Sequence, residues 1–198
     1  GEGLAILAGD GLLAEAFVLL AREPDDSGRP AIAARKLATI RRIADAAGAL
    51  GMVGGQAIDL QATGHRGGAA ALDLEGLRDL HARKTGALIR AATVSGAIMA
   101  GAAAARVDAI DCYAASLGLA FQIIDDVLDV EGTKDALGKT TGKDAAADKP
   151  TYPALVGLDS SKRLAGEAAD AALAALAAEN LGESRLADIV HWVVSRTS

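Results

Sequence analysis

Apolar positions recur at three- and four-residue spacing along most of the chain, the period of helices that bury one face. Runs of β-branched and aromatic residues that would favour strands are scarce. Leu4, Leu7, Leu12, Ala16, Leu19 and Leu20 predict a helix over residues 4–21, stopped by the turn residues Pro24-Asp25-Asp26-Ser27-Gly28. A long second helix is predicted over 30–63, because Pro30 suits a first-turn position and Gly64 a terminus. Within it, residues 48–55 are rich in Gly and Ala, which costs helix propensity and makes sense where another helix backbone comes close. Residues 65–71 read as a Gly-rich loop. Asp73 is an N-cap for a third helix reaching about Ala92, with a further apolar stretch to Ala105. Residues 107–130 are apolar on nearly every side, with charge only at Asp108, Asp111, Asp125, Asp126 and Asp129. Such a helix belongs at the centre of a fold. After it come a polar loop over 131–150 bearing Lys and Gly, then shorter helices over 152–158, 160–178 and 184–196. The Ala-rich stretch 168–178 and Trp192 read as packing residues. The pattern predicts one all-α domain over 1–198.

Composition narrows the functional classes. A chain of 198 residues, 51% hydrophobic and only 3% aromatic, is long enough for one domain with a core. Its net charge of -6 argues against a sequence-independent grip on nucleic acid or on an anionic membrane surface. The longest uncharged run, 91–105, has 15 residues and is mostly Ala and Gly, whereas a spanning helix needs about 20 strongly apolar ones. No membrane span is expected from it. A single cysteine, Cys112, excludes an internal disulfide framework and fits a reducing, cytoplasmic compartment. The chain starts at Gly1 without a basic and apolar leader, so no secretory signal is expected.

The candidate chemistry lies at the end of the central helix, in Phe121-Gln122-Ile123-Ile124-Asp125-Asp126-Val127-Leu128-Asp129. On a helix Asp125 and Asp129 stand one turn apart, with Asp126 about 100° round, so the three carboxylates are expected to converge on one region. Carboxylates among apolar neighbours carry a desolvation cost that a cation offsets. Oxygen-only donors with no His or Cys nearby point to Mg²⁺, whose shell is commonly completed by water and substrate phosphates. Lys134, Lys139, Lys143 and Lys149, interleaved with Gly132, Gly138 and Gly142, make the following loop a cationic flap beside that site. Gly138-Lys139-Thr140 is not a nucleotide phosphate loop, since position 133 is Thr and the segment follows a helix. Upstream, Lys84 and Thr85 put an ammonium beside a hydroxyl, while Gln56 and Asp59 share one helix face and place Asp59 to pair with Lys84. His65, His81 and His191 show no metal-ligand spacing. Asp10 reads as a polar helix residue.

Five segments together resemble the trans-isoprenyl diphosphate synthases, the makers of farnesyl, geranylgeranyl and longer prenyl diphosphates. They are Leu-Ala-Gly-Asp-Gly-Leu-Leu at 7–13, Gly-Gly-Gln-Ala-Ile-Asp-Leu at 54–60, His-Ala-Arg-Lys-Thr-Gly-Ala-Leu at 81–88, the 121–129 string, and Gly-Lys-Thr-Thr-Gly-Lys-Asp through Lys-Pro-Thr-Tyr-Pro at 138–153. The resemblance implies the all-α isoprenoid-synthase helical bundle. Asp125, Asp126 and Asp129 would be the family's second aspartate-rich motif, holding Mg²⁺ and an allylic diphosphate. Lys84 and Lys139 would contact that diphosphate, Thr85 and Gln122 would direct oxygens at the developing allylic cation, Asp144 and Lys149 would order the closing loop, and Gln56 and Asp59 would line the cleft. The family's first aspartate-rich motif and its isopentenyl diphosphate residues match nothing in this chain, which resembles the C-terminal two thirds of a member, with the N-terminal helices missing.

The resemblance therefore implies a prenyltransferase of isoprenoid biosynthesis, condensing an allylic prenyl diphosphate with isopentenyl diphosphate and forming a homodimer, with the chain inactive by itself. The alternatives are a noncatalytic scaffold subunit and a class I terpene cyclase. A complete second aspartate motif argues against the scaffold, and Lys84-Thr85 with the 139–149 loop argues against the cyclase.

Overall fold

The computed structural model describes residues 1–62, 72–136 and 150–196, and every regular element among them is a helix. In chain order these are α1 (Glu2–Arg22), α2 (Pro30–Ala47), α3 (Met52–Ala62), α4 (Leu74–His81), a π turn (Ala82–Gly86), α5 (Ala87–Ala100), α6 (Ala104–Ala136), α7 (Tyr152–Val156), α8 (Leu158–Ala177) and α9 (Arg185–Ser195).

α6 is the axis. It packs along α8, α5 and α9, and its Ile110, Tyr113, Ala114, Leu117 and Ala120 form the main core with Val94 of α5, Ala168, Ala169, Ala172 and Leu176 of α8, and Ala187, Val190 and Val193 of α9. Within 168–178 the packing role expected holds for Ala168, Ala169, Ala172 and Leu176, whereas Ala171, Ala174, Ala177 and Ala178 are exposed. Near the far end of α6, Ile123 and Ile124 join Leu77, Tyr152 and Ala165 in a second cluster. Trp192 does not pack: α9 buries Ala187, Val190 and Val193, and the indole stands 60% exposed.

The expected helix over 30–63 is two helices. Gly48 leaves α2 in extended backbone (ψ -166), and Gly51 donates its N–H to Gly48 O at 3.0 Å. A Cβ on Gly51 would lie 2.0 Å from Ala46 O, so the turn admits glycine there. The expected helix over 73–92 and the apolar stretch behind it form one rod. Asp73 caps it by accepting from Gly76 N at 2.8 Å, the π turn interrupts it without ending it, and Gly101 (φ +73) closes it. The central helix runs past the expected boundary to Ala136. The Gly-rich loop over 65–71 lies outside the described residues.

α1 is as long as expected, yet buries none of its side chains: Leu4, Ile6, Leu7, Leu12 and Leu13 are all exposed. By length and composition both α1 and the 104–132 part of α6 are long and apolar enough to cross a membrane. Half of that α6 window is buried inside the fold, as a core helix is. The expectation of no span rested on 91–105, whereas α1 reaches that length and composition despite Asp10 and Glu15.

Candidate functional site

The π turn positions the upstream half of the site. One extra residue in the turn shifts the helical phase and re-aims the side chains around it. The turn is gripped from two sides: a Cβ on Gly55 of α3 would meet Lys84 N at 2.3 Å and Lys84 Cα at 2.6 Å, and a Cβ on Gly118 of α6 would meet Gly86 Cα at 3.3 Å. The close approach expected of 48–55 is therefore real and lies within the chain. From this turn the Lys84 ammonium forms an ion pair with Asp59 on α3, as the sequence predicts. Asp59 is largely buried, Lys84 and Thr85 are half-buried, and Gln56 lies one turn before Asp59 on α3.

On α6, Gly118, Gln122, Asp125 and Asp129 follow one another at spacings of four, three and four, a single stripe that begins where the π turn touches the helix. Gln122 is buried to 9% exposure, while Asp125 and Asp129 are exposed. α3 and the π turn are thus joined by the Asp59–Lys84 pair, and the π turn meets α6 at Gly118, where the stripe begins.

Asp126 takes a different part from the one expected. Its side chain is 4% exposed and accepts the Tyr152 backbone N–H at 2.9 Å, which anchors the start of α7. Thr151 completes that start by accepting from Ala154 N at 3.3 Å. Burial raises the Tyr152 phenol above its ordinary pKa, with the Arg78 charge opposing and the Asp126 charge adding to the shift. The three carboxylates therefore do not converge: Asp125 and Asp129 share the open stripe and Asp126 faces inward. Among the described residues no three His, Cys, Asp or Glu side chains form a group that would hold a metal ion.

Two accessible carboxylates one turn apart, all-oxygen and hard, nevertheless fit Mg²⁺, which is commonly held by one or two carboxylates with water and phosphate oxygens completing its shell. Asp125 already has one cationic neighbour. Arg196, just after α9, donates to Asp125 Oδ1 at 3.1 Å and to Phe121 O at 3.3 Å, and its guanidinium lies 4.3 Å over the Phe121 ring. Sequence reasoning missed Arg196, for a contact 71 residues apart leaves no periodic trace. It missed the π turn as well, although a hydroxyl and an ammonium side by side before Gly86 marked the place. Lys139, Asp144 and Lys149 lie outside the described residues. A cavity of about 600 Å³ between α4, the π turn, α5 and α6, walled by Ala82, Gly86, Ala87, Ala115 and Leu119, is lined by none of the expected site residues that the structure describes.

Comparison with known proteins decides the family. A model of the polyprenyl synthetase family matches residues 1–189. The chain belongs to the polyprenyl synthetase family. It is 42% identical to the farnesyl diphosphate synthase of Escherichia coli over 99% of this chain and 64% of that protein. Against the farnesyl diphosphate synthase of Geobacillus stearothermophilus it is 40% identical over 99% of this chain and 63% of the relative. This polyprenyl synthetase chain thus spans less than two thirds of the length of those relatives. Among solved structures it resembles an apo FPP/GFPP synthase from Zymomonas mobilis, with a TM-score of 0.77 and 34% identity over 96% of this chain and 60% of that one. It also resembles a geranyltransferase from Helicobacter pylori complexed with magnesium and isoprenyl diphosphate, with a TM-score of 0.73 and 27% identity over 96% of this chain and 59% of that one. The expected all-α isoprenoid-synthase fold is thereby established.

Proposed function

We propose that this polyprenyl synthetase chain supplies the diphosphate-holding half of a prenyltransferase that condenses an allylic prenyl diphosphate with isopentenyl diphosphate. The observation that supports the reading is the close approach of the π turn carrying Lys84 and Thr85 to Gly118, where the Gln122–Asp125–Asp129 stripe of α6 begins.

Asp125 and Asp129 are the residues that would hold Mg²⁺, and Asp126 would support them by fixing α7. Bound there, Mg²⁺ would supply positive charge that draws electron density from the diphosphate and favours its departure. Lys84 exchanges its Asp59 partner for a diphosphate oxygen, adding a second positive charge where negative charge grows as the C–O bond breaks. The Thr85 hydroxyl and the Gln122 side-chain carbonyl turn oxygens towards the allylic carbon as it becomes cationic. The isopentenyl double bond then attacks that carbon, and a proton is lost to restore an alkene. Lys139 and Lys149, with Asp144, serve the same diphosphate from the 139–149 segment, and Gln56 lines the cleft beside Asp59.

The 198-residue chain, holding one of the family's two aspartate-rich motifs, is proposed to bind Mg²⁺ and diphosphate without condensing isopentenyl diphosphate. We place it in the cytoplasm, because an exposed free thiol such as Cys112 suits a reducing compartment. We propose a homodimer too. Gly55 packs against the π turn of its own chain, so the exposed apolar side chains of α1 provide the surface. Incubation with radiolabelled isopentenyl diphosphate and an allylic diphosphate tests the reading: the chain alone gives no product, a full-length protein containing it does, and Lys84→Ala in that protein lowers kcat. A full-length protein indifferent to Lys84→Ala would overturn the site assignment.

A further inference from the structure

We propose that Arg196 competes with the metal ion for Asp125, so that the end of α9 and the metal site are linked; the inference rests on the reading of Asp125 as a Mg²⁺ ligand. Four observations carry it. The Arg196 side chain is only 10% exposed, although it lies just past a helix end. It is held by a hydrogen bond to Asp125 Oδ1, a second to Phe121 O, and stacking on the Phe121 ring. Its Nε is buried with no hydrogen-bond partner among the described residues. Asp125, in contrast, is 51% exposed and open to an ion from solvent.

A guanidinium placed only to brace two helices would be expected to satisfy all of its buried donors, since an unmet one is costly. Here the Nε donor has no partner among the described residues, and the ionic partner is the Asp125 carboxylate. Arg196 is therefore held in part by the group that a metal ion would claim. A divalent cation on Asp125 would stand beside the guanidinium, withdraw the carboxylate charge from it and repel it. The clasp then loses its ionic partner, and the side chain moves out. Coupling of this kind is reciprocal: the clasp weakens metal binding by as much as the metal weakens the clasp. Arg196 is a positioning residue, setting where the Asp125 carboxylate points before the metal arrives and how tightly it holds the metal afterwards.

Mg²⁺ is titrated by calorimetry into the 198-residue chain and into its Arg196→Ala and Asp125→Ala variants, and amide hydrogen exchange over residues 190–196 is followed with and without the ion. Arg196→Ala binds Mg²⁺ more tightly, on the order of fivefold, the low end of coupling between sites. Mg²⁺ speeds exchange at the end of α9 in the wild type and has no such effect in Asp125→Ala. Unchanged or weaker Mg²⁺ binding by Arg196→Ala, with Asp125→Ala clearly weakened, overturns the competition alone. Equal binding by wild type and Asp125→Ala removes the metal reading and the competition with it.

Discussion

Replacing Gly55 by alanine sets two effects of known size against each other. Alanine is favoured over glycine inside a helix by about 1 kcal/mol, so at an unobstructed position the change stabilises. At Gly55 the added methyl would sit 2.3 Å from Lys84 N, 2.6 Å from Lys84 Cα and 2.9 Å from Arg83 C. All three are backbone atoms of the π turn, which no rotamer change can move aside. α3 and the turn must separate by about 1 Å to restore van der Waals contact near 3.5 Å. Overpacking of this kind costs typically 1–3 kcal/mol, and with only backbone to yield the upper end applies. The net loss is about 2 kcal/mol, a fall in Tm of roughly 4–8 °C for a domain of this size. Gly96→Ala on α5 is the control. It has nothing within 4 Å of the new methyl and gains up to about 1 kcal/mol. Urea unfolding followed by circular dichroism measures both. Because the displaced atoms belong to Lys84, Gly55→Ala also weakens pyrophosphate binding, whereas Gly96→Ala does not. A Gly55→Ala protein as stable as Gly96→Ala would refute the close contact on which the placement of Lys84 depends.

Asp111 accepts hydrogen bonds from Arg42 and from Arg90 Nε, the latter at 2.6 Å. Burial pushes its carboxyl pKa upward, but the Arg90 hydrogen bond and the charges of Arg90 and Arg42 outweigh that and leave it lowered. Its contribution is therefore complete above about pH 4 and lost as pH falls through the folded-state value. The stability advantage of wild type over Asp111→Asn, read from urea midpoints, shrinks below pH 4. Burial raises the Tyr113 phenol to about 12, so its contribution is complete below the ordinary value of 10.0 and is lost as pH climbs towards 12. Tyr113→Phe loses the bond to Leu186 O at 2.9 Å, about 1 kcal/mol at pH 8, and its deficit narrows between pH 10 and 12. Asp126→Ala removes a buried acceptor and lowers stability by about 1–3 kcal/mol, while the exposed Asp129→Ala changes it by less than about 0.5 kcal/mol. Equal effects would contradict the inward orientation of Asp126.

The central helix was legible because a run apolar on every side has few places to go but the core, and the Asp73 cap because its acceptor and the Gly76 N–H are neighbours in sequence. The break at Gly48–Gly51 was not, since glycines that permit close approach equally permit a turn, and only the collision with Ala46 O distinguishes the two. Helical period placed Asp125, Asp126 and Asp129 near one another but does not fix which faces solvent. The Tyr152 N–H, 26 residues away, decides that for Asp126. The π turn escaped because a one-residue insertion blurs the 3.6-residue period without breaking it. The pairing of Asp59 with Lys84 was readable from two carriers of opposite charge among apolar neighbours. The Arg196 contact required the packing of α9 against α6.

The central claim is that Lys84 on the π turn and Asp125 on α6 hold one diphosphate together, and calorimetric titration with inorganic pyrophosphate tests it most directly. With Mg²⁺ present, wild type is expected to bind, with Lys84→Ala and Asp125→Ala each weakening binding on the order of tenfold, about 1.4 kcal/mol. Without Mg²⁺, Asp125→Ala should make no difference while Lys84→Ala still does. Pyrophosphate binding that ignores both substitutions, with or without Mg²⁺, would contradict the site.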